Sequence, residues 1–126
     1  MARILVVDDN PSSRELERIM LEAFGYEVVE ASNCCEALTA ALLTLPDLIL
    51  LDLRMPGPDG FAILKDLRRE HRLSTVPIVA ITASAMKADR MRALKAGFSG
   101  YITKPIFLHE FQRQIRSFIR PKRTEH

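Results

Sequence analysis

Short apolar runs alternate with longer segments of helical periodicity along the chain. Five runs predict β-strands, at residues 4–7, 26–29, 48–51, 78–81 and 100–103. The first, third and fourth runs are continuously apolar, which is typical of strands that are covered on both faces. The second and fifth are shorter or more polar, which favours positions at the two edges of a sheet.

Two helix starts follow from capping residues. Asn10-Pro11 predicts the first helix, because asparagine is a favoured N-cap and proline is favoured at the first helical position. Asn33 and Glu36 have capping-box spacing and predict a second helix that runs to about residue 43. In the first helix an apolar stripe at helical spacing ends at a glycine, and it consists of Leu16, Ile19, Met20, Ala23 and Phe24.

Three further helices are predicted in the second half of the chain. The third follows Gly60, and the fourth covers about residues 85–96, is rich in lysine and arginine, and ends at Gly97. The last helix carries apolar residues at spacings of three and four, namely Leu108, Phe111, Ile115 and Phe118.

Five β-then-α units with short connections predict an α/β three-layer sandwich with a parallel sheet and right-handed crossovers. A flavodoxin-like (βα)5 fold with strand order 2-1-3-4-5 is the natural choice, although the pattern alone does not fix the order. The chain has 126 residues, enough for one domain. We predict a domain over residues 1–120 and a frayed basic tail over residues 121–126.

Composition argues against several classes of partner. The net charge is only +2, so we expect no direct contact with nucleic acid. No signal-peptide pattern and no membrane-length apolar run occur, which predicts a cytoplasmic protein without membrane contact. Cys34 and Cys35 are adjacent and no second pair exists, so free thiols in a reducing compartment are expected.

Chemically active side chains follow four of the predicted strands. The pair Asp8-Asp9 follows the first strand, Asp52 the third, Thr82 ends the fourth, and Lys104 follows the fifth. Ligands bind beyond the carboxyl ends of such strands. Clustered carboxylates repel one another unless a cation compensates, and Mg²⁺ is a suitable hard cation. An aspartate beside Mg²⁺ and a lysine is equipped to accept a phosphoryl group as an acyl phosphate.

Four motifs in order give a more specific identification. They are Ile-Leu-Val-Val-Asp-Asp-Asn at 4–10, Asp-Leu-Arg-Met-Pro-Gly-Pro-Asp-Gly at 52–60, Ile-Thr-Ala at 81–83 and Tyr-Ile-Thr-Lys-Pro at 101–105. Over residues 3 to about 119 the chain resembles CheY-like response-regulator receiver domains. The resemblance implies a phosphorylation-activated switch of a two-component phosphorelay, which assists its own phosphorylation and dephosphorylation but is not an enzyme with an independent substrate.

The resemblance also implies a role for each acidic residue. Asp52 is the phosphoacceptor and a ligand of Mg²⁺. Asp9 binds the metal directly, Asp8 binds it directly or through a water, and the backbone carbonyl of Arg54 is a further ligand.

The remaining motif residues are expected to respond to the phosphoryl group. By resemblance, Thr82 and Lys104 engage the phosphoryl oxygens, and a cis peptide bond precedes Pro105. Tyr101 is the aromatic switch residue, which rotates inward as Thr82 moves toward the phosphoryl group.

Two kinds of partner are expected: a protein that donates the phosphoryl group and a protein that binds after phosphorylation. The phosphodonor is a histidine kinase or a phosphotransfer protein, and the downstream protein binds the face of the fourth helix, fifth strand and fifth helix. We expect a stand-alone single-domain response regulator, because the chain has no room for an output domain, although a receiver excised from a hybrid kinase would look the same.

Three other functions compete with this interpretation. A docking module that is not phosphorylated usually lacks an acid or the lysine, and neither is missing here. A phosphatase with an aspartyl-phosphate intermediate needs a second acid where this chain has Arg54. An electron carrier of the flavodoxin type is disfavoured, because no Ser/Thr/Gly-rich phosphate loop follows the first strand and the chain has no tryptophan.

Overall fold

A computed structural model describes residues 2–54 and 60–119. The elements are β1 Arg3–Val7, α1 Pro11–Ala23, β2 Glu27–Ala31, α2 Cys34–Thr44, β3 Leu48–Asp52, α3 Gly60–Arg69, a 3-10 helix His71–Leu73, β4 Ile78–Thr82, α4 Lys87–Ala96, β5 Gly100–Thr103 and α5 Leu108–Phe118. The predicted loop at residues 55–59 and the predicted tail at 121–126 lie outside the described residues.

The five strands form one parallel sheet in the order β2-β1-β3-β4-β5. This order, which the hydrophobic pattern alone left open, confirms the flavodoxin-like fold. β3 and β4 are buried along their whole length, whereas β2 and β5 lie at the edges. The prediction of central and edge strands is therefore confirmed.

The sheet separates two apolar clusters, which make the outer layers of the sandwich. On one face, side chains of α2, α3 and α4 pack on the sheet, among them Ala37, Leu67 and Ala93. On the other face, Leu21 of α1 packs with Phe111 of α5 and the remaining apolar side chains of the strands. Both faces of the central strands are thus covered, as their continuous apolar runs predict.

The predicted caps are present. The Asn10 side chain accepts a hydrogen bond from the Ser13 amide at 3.0 Å. The Asn33 side chain accepts one from the Glu36 amide at 2.9 Å, and the Glu36 carboxylate accepts one from Ser32. Gly97 ends α4 with φ = 119°, a left-handed conformation that glycine adopts without steric penalty.

The apolar stripe predicted for α1 is only partly correct. Leu16 and Ile19 are 48% and 51% exposed, whereas Glu17 and Leu21 are buried. The helix is rotated so that Leu21 meets the apolar cluster, and Glu17, one turn earlier, lies on the same face. A glutamate therefore occupies a position that faces the interior.

Element boundaries also differ slightly from the predictions. β2 extends to Ala31, two residues beyond the predicted end, and α4 begins at Lys87 instead of 85. The 3-10 helix after α3 was not predicted. Within the described residues, no helix has the length and apolar character needed to cross a membrane.

Candidate functional site

The carboxyl ends of the strands bring the predicted residues to one edge of the sheet. Asp8 directly follows β1, Asp52 and Thr82 are the last residues of β3 and β4, and Lys104 directly follows β5. Asp8, Asp52 and Thr82 are buried. The backbone amide of Lys104 donates to the carbonyl of Thr82 at 2.7 Å, which fixes the β5 end beside the β4 end.

Lys104 connects the two buried aspartates. Its Nζ atom lies 3.3 Å from Asp8 Oδ2 and 3.3 Å from Asp52 Oδ2. The lysine side chain can therefore reach a group on Asp52 without rearrangement of the backbone. The Lys104-Pro105 peptide bond is cis, as expected.

The second oxygen of each buried aspartate is held by a backbone amide. The amide of Asn10 donates to Asp8 Oδ1 at 2.9 Å, and the amide of Arg54 donates to Asp52 Oδ1 at 2.9 Å. These bonds orient the carboxylates within the loops that follow β1 and β3. The loop bond also places Arg54, the predicted carbonyl ligand, next to the predicted phosphoacceptor.

Three carboxylates could hold a metal ion at this edge. Asp8, Asp9 and Asp52 each offer an oxygen, and these oxygens lie within 4.8 Å of one another. Asp8 and Asp52 share the ammonium group of Lys104, and Asp9 takes part in none of the described ion pairs. An all-oxygen donor set with surplus negative charge fits a hard divalent cation such as Mg²⁺.

The close approach of these charged groups shifts the pKa values of Asp8 and Lys104. Burial raises the pKa of Asp8 above its usual value, and the Asp52 charge adds to the rise, while the Asn10 amide and Lys104 oppose it. Burial alone lowers the pKa of Lys104, but the charges of Asp52, Asp8 and Glu17 together raise it. The site therefore keeps Lys104 charged and holds excess negative charge.

Glu17 is a site residue that the sequence interpretation missed. Its side chain is 2% exposed, and among the described residues its Oε1 is a buried polar atom without a hydrogen-bond partner. Burial, and next the negative charge of Asp8, raise the pKa of Glu17 to about 8. Its spacing of four and seven residues from Leu21 and Phe24 is the signal that would have placed it on the inner face of α1.

The predicted switch residues are linked to α4 by hydrogen bonds. Thr82 Oγ1 accepts a bond from the Ser84 amide at 3.4 Å. The Tyr101 side chain is buried, and its hydroxyl donates to the Ser84 carbonyl at 2.8 Å. The Ser84 hydroxyl in turn donates to Asp89 in the first turn of α4. Tyr101 thus occupies an inward position, and Ser84 joins it to both Thr82 and α4.

Comparison with known proteins agrees with this geometry. Residues 4–116 match the family described as the response regulator receiver domain. The chain is 38% identical over 116 residues to the polar-differentiation response regulator DivK of Brucella anthropi, covering 92% of this chain and 94% of DivK. Two other curated relatives, 36% and 42% identical, are longer, and the chain spans only 50% and 49% of their length.

Two solved structures are similar throughout. The chemotaxis protein CheY4 of Vibrio cholerae has a TM-score of 0.88 at 29% identity, covering 94% of this chain and 98% of that one. The receiver domain of the sensor histidine kinase PA1611 of Pseudomonas aeruginosa has a TM-score of 0.85 at 35% identity, with 94% and 97% covered, and is described with a magnesium ion coordinated in its active site cleft. The chain belongs to the receiver domain family of two-component response regulators, which are phosphorylatable signalling switches.

Proposed function

We propose that the protein accepts a phosphoryl group on Asp52 from a histidine kinase or a phosphotransfer protein, with Mg²⁺ bound by Asp8, Asp9, Asp52 and the Arg54 carbonyl. The single observation that carries this proposal is the contact of Lys104 with both buried aspartates. Within the part of the chain that the structure describes, this contact pairs the Lys104 ammonium group with the carboxylate that is to react.

In the proposed reaction, Asp52 Oδ attacks phosphorus and the bond from phosphorus to the donor nitrogen breaks, so that an acyl phosphate forms. The bound metal would neutralise charge on the transferred group. Lys104 leaves Asp52 Oδ2 and pairs with a phosphoryl oxygen, and the Arg54 amide keeps the carboxylate oriented. Asp8 keeps its contact with Lys104, which limits how far the ammonium group moves.

The output surface is the face of α4, β5 and α5. Phosphorylation adds about two negative charges beside Thr82, and its hydroxyl, which holds the Ser84 amide by a long hydrogen bond, is free to turn toward the new group. Ser84 then transmits the movement to Tyr101 and Asp89. Of the ten residues of α4, all described, only Ala93 is buried, so little packing energy resists a shift of the helix.

Labelling with acetyl phosphate tests the first step. We expect Mg²⁺-dependent incorporation into the wild type and none into Asp52→Asn, because the amide cannot form an acyl phosphate. The Glu15→Gln variant, which changes an exposed carboxylate on α1, is the matched control and should label normally. Equal labelling of wild type and Asp52→Asn would identify a different acceptor, and no labelling of either would favour the docking module.

Two further measurements test the remaining steps. Beryllofluoride with Mg²⁺ mimics the phosphorylated state, and amide shifts should extend through residues 84–101; shifts confined to Asp8, Asp9 and Asp52 would contradict the output surface. Transfer rates from the histidine kinases of the same genome would identify the donor. As part of this proposal we place the protein in the cytoplasm with its donor, in agreement with the free thiols of Cys34 and Cys35.

The proposal applies equally to a receiver within a longer hybrid kinase. The similarity covers 94% of DivK, a response regulator, and 97% of the receiver domain of the sensor histidine kinase PA1611, so relatives of both kinds are compatible with the proposal.

A further inference from the structure

Arg14, near the start of α1, connects the loop that carries Asp8 and Asp9 to the edge strand β2. Its Nη1 atom donates to the backbone carbonyl of Asp8 at 2.8 Å, and its Nε atom lies 2.9 Å from Glu30 Oε1. The Arg14 side chain is only 20% exposed, so both contacts are partly shielded from water. The guanidinium therefore bridges a backbone oxygen of the acidic loop and a carboxylate of β2.

The Asp8 carbonyl belongs to the peptide group that joins two of the proposed Mg²⁺ ligands. Because a peptide group is planar, a hydrogen bond that fixes this carbonyl also fixes the plane from which Asp9 departs. No hydrogen bond or ion pair between described residues holds the Asp9 carboxylate, whereas that of Asp8 is held by Asn10 and Lys104. The direction of the Asp9 side chain therefore depends on the backbone at Asp8.

The strand β2 holds the Asp8 backbone on both sides. The Asp8 amide donates directly to the Ala31 carbonyl at 3.1 Å. The Asp8 carbonyl is held indirectly, because the arginine that donates to it pairs with Glu30, the residue before Ala31. Arginine suits this link, since its planar guanidinium presents several donors in a fixed arrangement and can serve two acceptors at once.

We propose that Arg14 is a positioning residue for Mg²⁺, which holds the Asp8-Asp9 peptide group so that the two carboxylates and that of Asp52 converge. This rests on the proposed function, in which these three acids are metal ligands. Loss of a contact that orients metal ligands typically lowers metal affinity by about 10–100-fold.

The charge of Arg14 acts in the opposite direction to its positioning effect. A positive charge near carboxylates opposes the binding of a cation, so removal of the charge alone should strengthen Mg²⁺ binding. Loss of the hydrogen bond to the Asp8 carbonyl should weaken it. The sign of the change in affinity therefore distinguishes the two effects.

Titration of the complete, unphosphorylated chain with Mg²⁺ provides the test. Binding is followed by the amide shifts of residues 8–10 and 52–54 at constant ionic strength. We expect Arg14→Met to bind Mg²⁺ about ten-fold more weakly than wild type, because the Asp8 carbonyl loses its donor. Arg14→Lys should be weakened similarly, although it keeps the charge, because one ammonium nitrogen cannot occupy the positions of both Nε and Nη1.

Arg18→Met is the matched control. Arg18 lies one turn further along α1, and its described ion pairs are with three glutamates, Glu15, Glu22 and Glu30. The substitution removes the same charge but leaves the bond to the Asp8 carbonyl intact, so Mg²⁺ affinity should be unchanged or slightly higher. Glu30→Ala should weaken binding less than Arg14→Met, and in the Arg14→Met background it should have no further effect.

Two measurements separate positioning from a general loss of structure. In EDTA, Arg14→Met should change the carbonyl carbon shift of Asp8 while amide shifts remote from the loop are retained. Labelling of Arg14→Met by acetyl phosphate should be slow at limiting Mg²⁺ and approach the wild-type rate at saturating Mg²⁺, because Asp52 and Lys104 keep their contact. A general loss of structure would lower the rate at every Mg²⁺ concentration.

Defined results would overturn the inference. They are an Mg²⁺ affinity of Arg14→Met equal to or above that of wild type, an equal loss of affinity in Arg18→Met, an unchanged Asp8 carbonyl shift, and slow labelling that saturating Mg²⁺ does not restore. The two proposals can fail separately. Normal labelling of wild type with unaltered Mg²⁺ affinity in Arg14→Met refutes the positioning role alone. Mg²⁺ binding that depends on Arg14 in a wild type that is not labelled refutes the proposed phosphorylation alone.

Discussion

The buried carboxyl group of Glu17 should make the stability of the protein fall as pH rises. Its pKa is about 8 in the folded protein, against an ordinary value of 4.5, because burial and the charge of Asp8 disfavour ionisation. Between these two values the folded state keeps the proton that the unfolded chain releases. The contribution of Glu17 to the free energy of unfolding is therefore undiminished below pH 4.5 and declines through the window up to pH 8.

The size of the effect follows from the shift. Each unit of pKa corresponds to about 1.4 kcal/mol, so a rise from 4.5 to about 8 amounts to about 4–5 kcal/mol when both states are fully ionised. Glu17→Gln preserves the shape of the side chain and removes the titration. We expect the stability of the variant relative to wild type to increase by about 3 kcal/mol between pH 5 and pH 8.

Urea denaturation at several pH values measures this difference. EDTA should be present throughout, because a cation at the adjacent carboxylates would change the charge that Glu17 experiences. Asp8 and Lys104 titrate in both proteins, so only the difference between the two curves is used. Glu15→Gln, at an exposed position on the same helix, controls for the loss of one carboxylate. Parallel curves for wild type and Glu17→Gln would refute the reasoning.

Three further predictions concern the scaffold. Gly100→Ala should destabilise the protein by about 1–3 kcal/mol, because its Cβ would overlap the Phe118 ring; a lowered Tm with unchanged secondary structure checks this. Asn10→Ala should lower the unfolding free energy by about 1 kcal/mol in urea, since the Ser13 amide loses its acceptor. Leu45→Asn should raise stability by up to about 1 kcal/mol, because Leu45 has φ = 47°; a Tm no higher than wild type would contradict it.

Much of the site followed from the sequence because parallel strands end at a common edge. Once residues 8, 52, 82 and 104 were assigned to strand ends, their proximity required no knowledge of individual side-chain contacts. The distances from Lys104 to Asp8 and Asp52 agree with that expectation. Alternating β and α segments specify this geometry before any tertiary detail is known.

Glu17 was not predicted as a site residue, because the helical periodicity of α1 is compatible with two different faces of the helix packing against the sheet. Leu16 and Ile19 make one plausible inner face, whereas Leu21 and Phe24 make another that includes Glu17. The fold selects the second, since Leu21 packs fully and Leu16 remains half exposed. The choice depends on how the helix meets the sheet and α5, which a one-dimensional pattern does not contain.

The hydrogen bonds of Ser84 likewise could not be predicted from the sequence. They depend on the path of the loop between β4 and α4, where the Ser84 carbonyl meets Tyr101 and its hydroxyl meets Asp89. Loop paths arise from turn conformations and side-chain contacts together, so residue spacing does not determine them.

Division of the interior by the sheet has a consequence for how the protein can evolve. Among residues 2–54 and 60–119, the apolar cluster beneath α1 and α5 and the one beneath α2, α3 and α4 share no buried side chain. Substitutions such as Phe111→Leu in one and Leu67→Met in the other should therefore have nearly additive energetic effects. The effects of substitutions in one cluster are therefore nearly independent of the residues in the other. The side chains on one face of the sheet can change during evolution without compensating changes on the other face.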